Sequence, residues 1–147
     1  MSDPYLVIVE LYDGGVGNSS LDGLTLVFYN GSNNLSYQAY SLDGYTTDAN
    51  GYFVLGNDGV PNVSLVIGSN GLQNGADAVA LYQADSNDFP NGTEVTTTNL
   101  IDAVVYDTND SDANWRRRLN VQRDCQITVD PVGLGELAAP PSGLKAL

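Results

Sequence analysis

The sequence contains no histidine, a single cysteine (Cys125), and not one lysine or arginine before Arg116. Each absence removes chemistry. Within residues 1–115 a Ser-His-Asp or Cys-His nucleophile, a His-ligated zinc, a Schiff-base lysine and a lysine-bearing phosphate loop are all excluded. One cysteine cannot close a disulfide within the chain. It is either a small buried apolar residue or, outside the cell, a thiol able to join two chains. No stretch reaches the roughly 18 consecutive apolar residues of a membrane-spanning helix. The 147 residues carry 18 acidic and five basic side chains, a net charge of −13, and 15 of the acids lie in residues 1–115. Such a body repels DNA, RNA and anionic lipid, because each favourable phosphate contact needs a cation that it lacks.

What is present is turn chemistry and short apolar runs. There are 15 Asp but only three Glu, beside 15 Asn and 16 Gly. Asp, Asn and Gly each tolerate or stabilise tight-turn conformations that other residues resist. Between them lie runs at 5–12 (YLVIVELY), 24–29 (LTLVFY), 36–42, 52–55 (YFVL), 63–67 (VSLVI), 78–82 (AVALY) and 101–106 (IDAVVY). β-branched and aromatic residues dominate them, and none sustains a helical period. Alternation assigns faces: Leu24, Leu26 and Phe28 against Thr25; Val63, Leu65 and Ile67 against Ser64; Ile101, Ala103 and Val105 against Asp102. Seven short strands predict an all-β sandwich of antiparallel sheets. The expected core includes Val7, Leu26, Phe28, Phe53, Leu55, Leu65, Val79, Leu81, Ala103 and Val105. The pairs at 30–31, 50–51, 58–59, 70–71, 74–75 and 91–92, all Asn-Gly or Asp-Gly, should supply the positive φ angles of hairpins and bulges. The composition breaks after Trp115, so one domain of 147 residues divides into a sandwich over 1–115 and a basic, then Pro/Gly/Ala-rich tail over 116–147. Its CQITVD run (125–130) is a candidate extra edge strand, and AAPPSGLKAL (138–147) reads as a loose end.

With the strands placed, VELYDGG (9–15), SLDGLTLVFYNG (20–31), DANGYFVLGN (48–57), LQNGADAVALYQ (72–83) and LIDAVVYD (100–107) together resemble the lamin tail domain family, over about residues 5–107. The LDGLTL, GYFVLGN and NGADAVALY segments are the specific ones, each joining a turn of fixed chemistry to a strand of fixed length. The resemblance is to the secreted branch, since nuclear members are far more basic. It implies an immunoglobulin-like sandwich serving attachment and protein interaction, without catalytic residues. The family opens with a strand, an acidic loop and a second strand. Here YLVI runs straight into VELYDGG, as though part of that strand-loop unit were missing, which should leave an open sheet edge inviting self-association.

Among candidate sites, Asp107, Asn109, Asp110 and Asp112 crowd one short stretch, and hard cations such as calcium want six to eight oxygens from such a loop. Against calcium, Asp112 stands where a Gly is expected and no bidentate Glu follows. The 46–57 stretch, with Asp48, Asn50 and Gly51, lacks the first and last carboxylates of a calcium loop and reads as a hairpin turn. Glu10 and Asp102 are the strand-borne pair that could serve glycoside hydrolysis, although strand acids in a small sandwich usually face outward. Tyr12, Tyr29, Tyr82 and Tyr106 fall near strand ends, where a ring bridges core and water or stacks on a sugar. Arg116, Arg117, Arg118 and Arg123, with Cys125 close by, form the basic patch. It reads as an interaction strap for an acidic face of the same or a neighbouring chain, not as a nucleic-acid footprint. Six N-x-S/T acceptors, at Asn18, Asn30, Asn34, Asn62, Asn91 and Asn109, give the chain an extracellular look. Its start, MSDPYLV, has no basic region or long apolar core, which fits a mature or excised product or a variant without a leader. The functional expectation is a non-catalytic extracellular structural or adhesive module that binds protein partners or assembles with itself. An acidic calcium- or mineral-binding matrix protein and a carbohydrate-binding or glycoside-active accessory domain are the alternatives.

Overall fold

The computed structural model describes residues 8–68, 72, 77–106 and 145–146. The chain is an all-β sandwich. Its strands are β1 (Ile8–Tyr12), β2 (Leu24–Asn30), β3 (Leu35–Ser41), β4 (Tyr52–Gly56), β5 (Leu65–Val66), β6 (Asp77–Gln83), β7 (Leu100–Tyr106) and β8 (Lys145–Ala146). They form two four-stranded sheets, ordered β5-β4-β1-β8 and β3-β2-β6-β7. Five of the seven expected runs become strands within a residue or two of their expected ends, and the first, 5–12, is a strand from Ile8 onward, its residues 5–7 lying outside the described ones. The seventh, 63–67, pairs only over Leu65–Val66 and runs parallel to β4, an exception in otherwise antiparallel sheets. Gly56 explains part of this. Val60 lies so close that a Cβ on Gly56 would meet its side chain at 2.8 Å, so the chain folds back over β4 in a tight loop before β5.

The core between the sheets takes Val9 and Leu11 from β1, Phe53 and Leu55 from β4, and Leu26, Phe28, Val79, Leu81 and Ile101 from the second sheet. Leu26, Phe28, Phe53, Leu55, Val79 and Leu81 were all expected in this core and are buried there. Leu65 packs against it while only partly buried, and Val7 lies outside the described residues.

One-sided alternation fails for the second sheet, because both of its faces are buried. Val27, Tyr29, Ala78, Ala80, Tyr82, Ala103 and Val105 form a second cluster on its outer side, sealed by Phe89 from the β6–β7 connection. Thr25, expected to face water, is buried with its hydroxyl donating to the Ala84 carbonyl at 2.7 Å. Ile101, Ala103 and Val105 do not share a face either. Tyr82 pairs with Leu100 and Leu81 with Asp102, so Ile101 is the extra residue of a β-bulge. That bulge turns Ile101 inward and leaves Ala103 and Val105 on the outer side.

The connection over residues 84–99 is fastened to the edge strand β3. Ser36 donates its N–H to the Thr93 carbonyl and its hydroxyl to the Pro90 carbonyl, while Gly92 and Val95 donate to Ser36 and Asn34 carbonyls. On the first sheet, β8 pairs antiparallel with β1 through Leu11 and Tyr12. The edge expected to be open beside β1 is thus taken there by the chain's own C-terminal stretch, within the segment expected to be loose. The 125–130 run lies outside the described residues.

Candidate functional site

Inward-facing Val9, Leu11, Phe53 and Leu55 oblige their neighbours on β1 and β4 to project from the outer face of the first sheet. Ile8, Glu10 and Tyr12 therefore lie across from Gly56, Val54 and Tyr52, with Val66 beside Gly56. Ile8 is 52% exposed, Val66 56% and Tyr52 37%, three of the four large hydrophobic side chains exposed among the described residues. The fourth, Val16, sits in the loop that turns beside the Tyr12 hydroxyl. Tyr12 and Tyr52 stack at 4.7 Å between ring centroids, an aromatic cross-strand pair at one end of this face. Glu10 is half-buried among these groups. Burial and the nearby Asp48 carboxylate together raise its pKa above the usual value. Asp48 is fixed beside Tyr52, whose N–H it accepts at 3.0 Å. The resulting surface is apolar and aromatic around a discouraged acid.

Comparison with family models, with curated proteins and with solved structures finds no match.

The expected site residues fare differently. Asp107, Asn109, Asp110, Asp112, Arg116, Arg117, Arg118, Arg123 and Cys125 lie outside the described residues, as does the Tyr106 side chain. Among the described residues no group of three or more carboxylates, thiols or imidazoles is placed to hold a metal ion. Glu10 and Asp102 are not brought together. Glu10 projects from the outer face of the first sheet. Asp102, opposite the inward Leu81, is buried on the inner side of the second, where its Oδ1 accepts the Ala103 N–H at 2.8 Å. The β7 bulge is what turns this expected outward acid inward. Tyr29 and Tyr82 do not bridge to water: both are wholly buried, their hydroxyls 3.0 Å apart, and Tyr82 donates to the Thr96 carbonyl at 2.8 Å. Desolvation raises both phenol pKa values, and because both rings are buried neither offers a face to a sugar.

The 46–57 stretch is a turn, with Asp48 accepting the Asn50 and Tyr52 N–H groups. Of the acceptor asparagines, Asn18, Asn62 and Asn91 are exposed. Asn30 is half-buried, and its Oδ1 accepts from both the N–H and the hydroxyl of Ser32. Asn34 has its Oδ1 buried without a partner. Asn109 is outside the described residues.

Two carboxylate arrangements escaped sequence reasoning. The first is Asp13, only 2% exposed. Its Oδ1 accepts the N–H groups of Gly15 (3.0 Å) and Val16 (2.9 Å); its Oδ2 accepts Gly17 N–H (3.0 Å) and the Ser19 and Thr47 hydroxyls (2.6 and 2.8 Å). Burial alone would raise its pKa, but the hydrogen bonds from Ser19, Thr47, Gly17 and Gly15 outweigh it and hold the carboxyl below its usual value. Gly51 is obligatory beside it: φ is +95°, and a Cβ there would lie 2.1 Å from Asp13 Oδ1. The glycine-rich run after Asp13 was the available signal, since successive turn N–H groups make an anion cradle.

The second arrangement is a repeated tetrapeptide, Ser-Leu-Asp-Gly at 20–23 and at 41–44. Asp22 Oδ1 accepts Gly44 N–H at 2.7 Å and Asp43 Oδ1 accepts Gly23 N–H at 2.6 Å. The backbone repeats the exchange, Leu21 donating to Tyr45 and Leu42 to Leu24. Two copies of one turn thus clasp each other, and both leucines are wholly buried beneath them. These acids are turn fasteners, like Asp48 and Asp85, whose Oδ1 accepts Asn87 N–H.

Proposed function

We propose that the chain is a non-catalytic, extracellular structural or adhesive module of lamin-tail type, and that it holds protein partners on the outer face of its first sheet. The observation that carries this reading is the contrast between the two outer faces. The fold seals one with its own connection around Phe89 and leaves Ile8, Tyr52 and Val66 exposed on the other. A clustered apolar face rimmed by polar groups is what interaction surfaces present, whereas scattered apolar residues need no explanation. The lamin-tail resemblance supports an attachment role. Three exposed acceptor asparagines support an extracellular setting, and the lack of any base or histidine in 1–115 supports a role other than catalysis.

The test is a peptide-display selection against the folded full-length chain, with a Tyr52→Ser/Val66→Ser double variant as the counter-target. Both substituted residues are exposed, so the double variant keeps the fold, as a thermal melt would verify. The reading expects enriched peptides to bind the native chain and to lose the variant. Peptides that bind both proteins equally, or a selection that enriches nothing, would overturn it.

A further inference from the structure

An aspartate or asparagine followed by glycine carries its own electrophile and nucleophile. The glycine nitrogen can attack the side-chain Cγ before it, because the glycine has no Cβ to obstruct the approach. In a chain built on such turns, reactivity depends on whether that nitrogen is already engaged. Gly23 and Gly44 donate to the Asp43 and Asp22 carboxylates at 2.6 and 2.7 Å. Gly31 donates to Asp77 Oδ1 at 2.9 Å, Gly51 to the Asp48 carbonyl at 3.0 Å and Gly92 to the Ser36 carbonyl at 2.8 Å. Each of these bonds must break before the nitrogen can turn on its neighbour. Gly14 donates to no described group, but the Asp13 carboxylate before it is buried and held by the Gly15, Val16 and Gly17 N–H groups and two hydroxyls, so its Cγ cannot swing. Among the described pairs, Asp58-Gly59 is the one with both halves loose. Both residues are exposed, and neither the Asp58 carboxylate nor the Gly59 N–H makes a hydrogen bond.

We propose that Asp58-Gly59 is a modification site, at which the folded chain converts to isoaspartate without an enzyme, and that the other described pairs are shielded by their glycine hydrogen bonds or, at Asp13, by the caged carboxylate. The Gly59 nitrogen attacks Asp58 Cγ. An N–Cγ bond forms, and the nitrogen's proton leaves with the carboxyl's hydroxyl as water, giving a succinimide. Water then opens the ring. Breaking the N–Cγ bond restores aspartate, whereas breaking the bond from nitrogen to the main-chain carbonyl carbon leaves the chain running through Cβ and Cγ. No atom is gained or lost overall, and nothing is oxidised or reduced. The added main-chain methylene enters a turn with little slack. Val60 closes that turn by donating its N–H to the Asn57 carbonyl at 3.2 Å, and its side chain is 7% exposed, pressed against Gly56. Isoaspartate at residue 58 therefore pushes Val60 out of its seat and loosens the lead into β5. This holds whatever the outer face of the first sheet binds.

The test ages the full chain at body temperature in neutral buffer, both native and in guanidinium chloride. Chymotryptic peptides are then read by mass spectrometry after labelling with an isoaspartyl methyltransferase, which methylates isoaspartate and not aspartate. Native chain should gain isoaspartate at Asp58 at a rate close to that of denatured chain. At Asp22 and Asp43 the native rate should be lower by about tenfold or more, because a hydrogen bond has to open first. The Asp58→Asn variant sharpens the comparison within one molecule. It gives residue 58 the same chemistry as Asn50 and Asn91, in which ammonia leaves in place of water and the amide becomes an acid of higher mass. In the native variant residue 58 should deamidate about tenfold faster than Asn50 or Asn91, and the three should draw level in guanidinium chloride. Asp58→Glu keeps the charge but does not readily close the ring, so it should accept no methyl group at this position. Native chain without methylation at Asp58 would overturn the proposal. So would Asn50 or Asn91 converting as fast as residue 58 in the native Asp58→Asn variant.

Discussion

Replacing Asp13 with Asn tests whether this fold is fastened by a single caged carboxylate. The substitution conserves size and removes one charge. An Asn that keeps its oxygen toward Gly15 and Val16 retains those two acceptor bonds, but now as neutral ones. Its amide nitrogen then faces three former donors: Gly17 N–H and the hydroxyls of Ser19 and Thr47. The hydroxyls can turn to accept, although Thr47 Oγ1 already accepts Ser19 N–H at 2.8 Å. Gly17 N–H cannot turn. A buried N–H left without an acceptor costs about 1–3 kcal/mol, and each charged bond made neutral loses roughly 1 kcal/mol more. The sum is about 3–5 kcal/mol, a large share of the ~5–15 kcal/mol that holds a domain together. With a urea slope of about 1.5 kcal/mol/M, the unfolding midpoint at pH 7 should fall by about 2–3 M, read by tyrosine near-ultraviolet circular dichroism.

The pH dependence is a second signature. The folded pKa of Asp13 lies below its unfolded value, so unfolding binds a proton in acid. Its contribution is complete above the unfolded pKa of about 4 and is lost as pH falls through the lowered folded value. The difference in stability between native chain and Asp13→Asn should therefore be constant from neutral pH to about pH 5 and shrink below ~4. A midpoint shift under about 0.3 M at pH 7, or a difference that stays constant down to about pH 2, would refute the reasoning.

Phe89→Ala should cost about 3–5 kcal/mol, because Phe89 is buried against Tyr82 at 4.6 Å and closes the outer cluster of the second sheet. Calorimetry measures the loss, and a change under ~1 kcal/mol would mean that the connection is no true second core. For chain secreted from eukaryotic cells, the folded fraction should carry glycans at Asn18, Asn62 and Asn91 and none at Asn34, whose Oδ1 is buried. Peptide mass spectrometry with and without enzymatic deglycosylation decides this, and an occupied Asn34 in folded material would contradict the packing there.

The sequence by itself determined the strands and the class of fold. Short β-branched runs between Asp, Asn and Gly turns leave little else to build, and Leu26, Phe28, Phe53 and Leu55 are buried in the core as expected. The repeated Ser-Leu-Asp-Gly turns and the glycines after Asp13 were also readable in principle, since their chemistry is local. Other features were decided only by residues distant in sequence. Thr25, Val27 and Tyr29 are buried because residues 84–99 cross the sheet above them, a covering that no pattern within β2 records. Asp102 faces inward because one extra residue, Ile101, bulges between Leu100 and its neighbours, and alternation is blind to a shift of one. The candidate binding face has the same origin. Ile8, Glu10, Tyr12, Tyr52, Val54 and Val66 come from three strands, β1 lying far from β4 and β5 in the chain. Only the register of the sheet makes them neighbours, and only the covering of the opposite sheet makes their exposure distinctive.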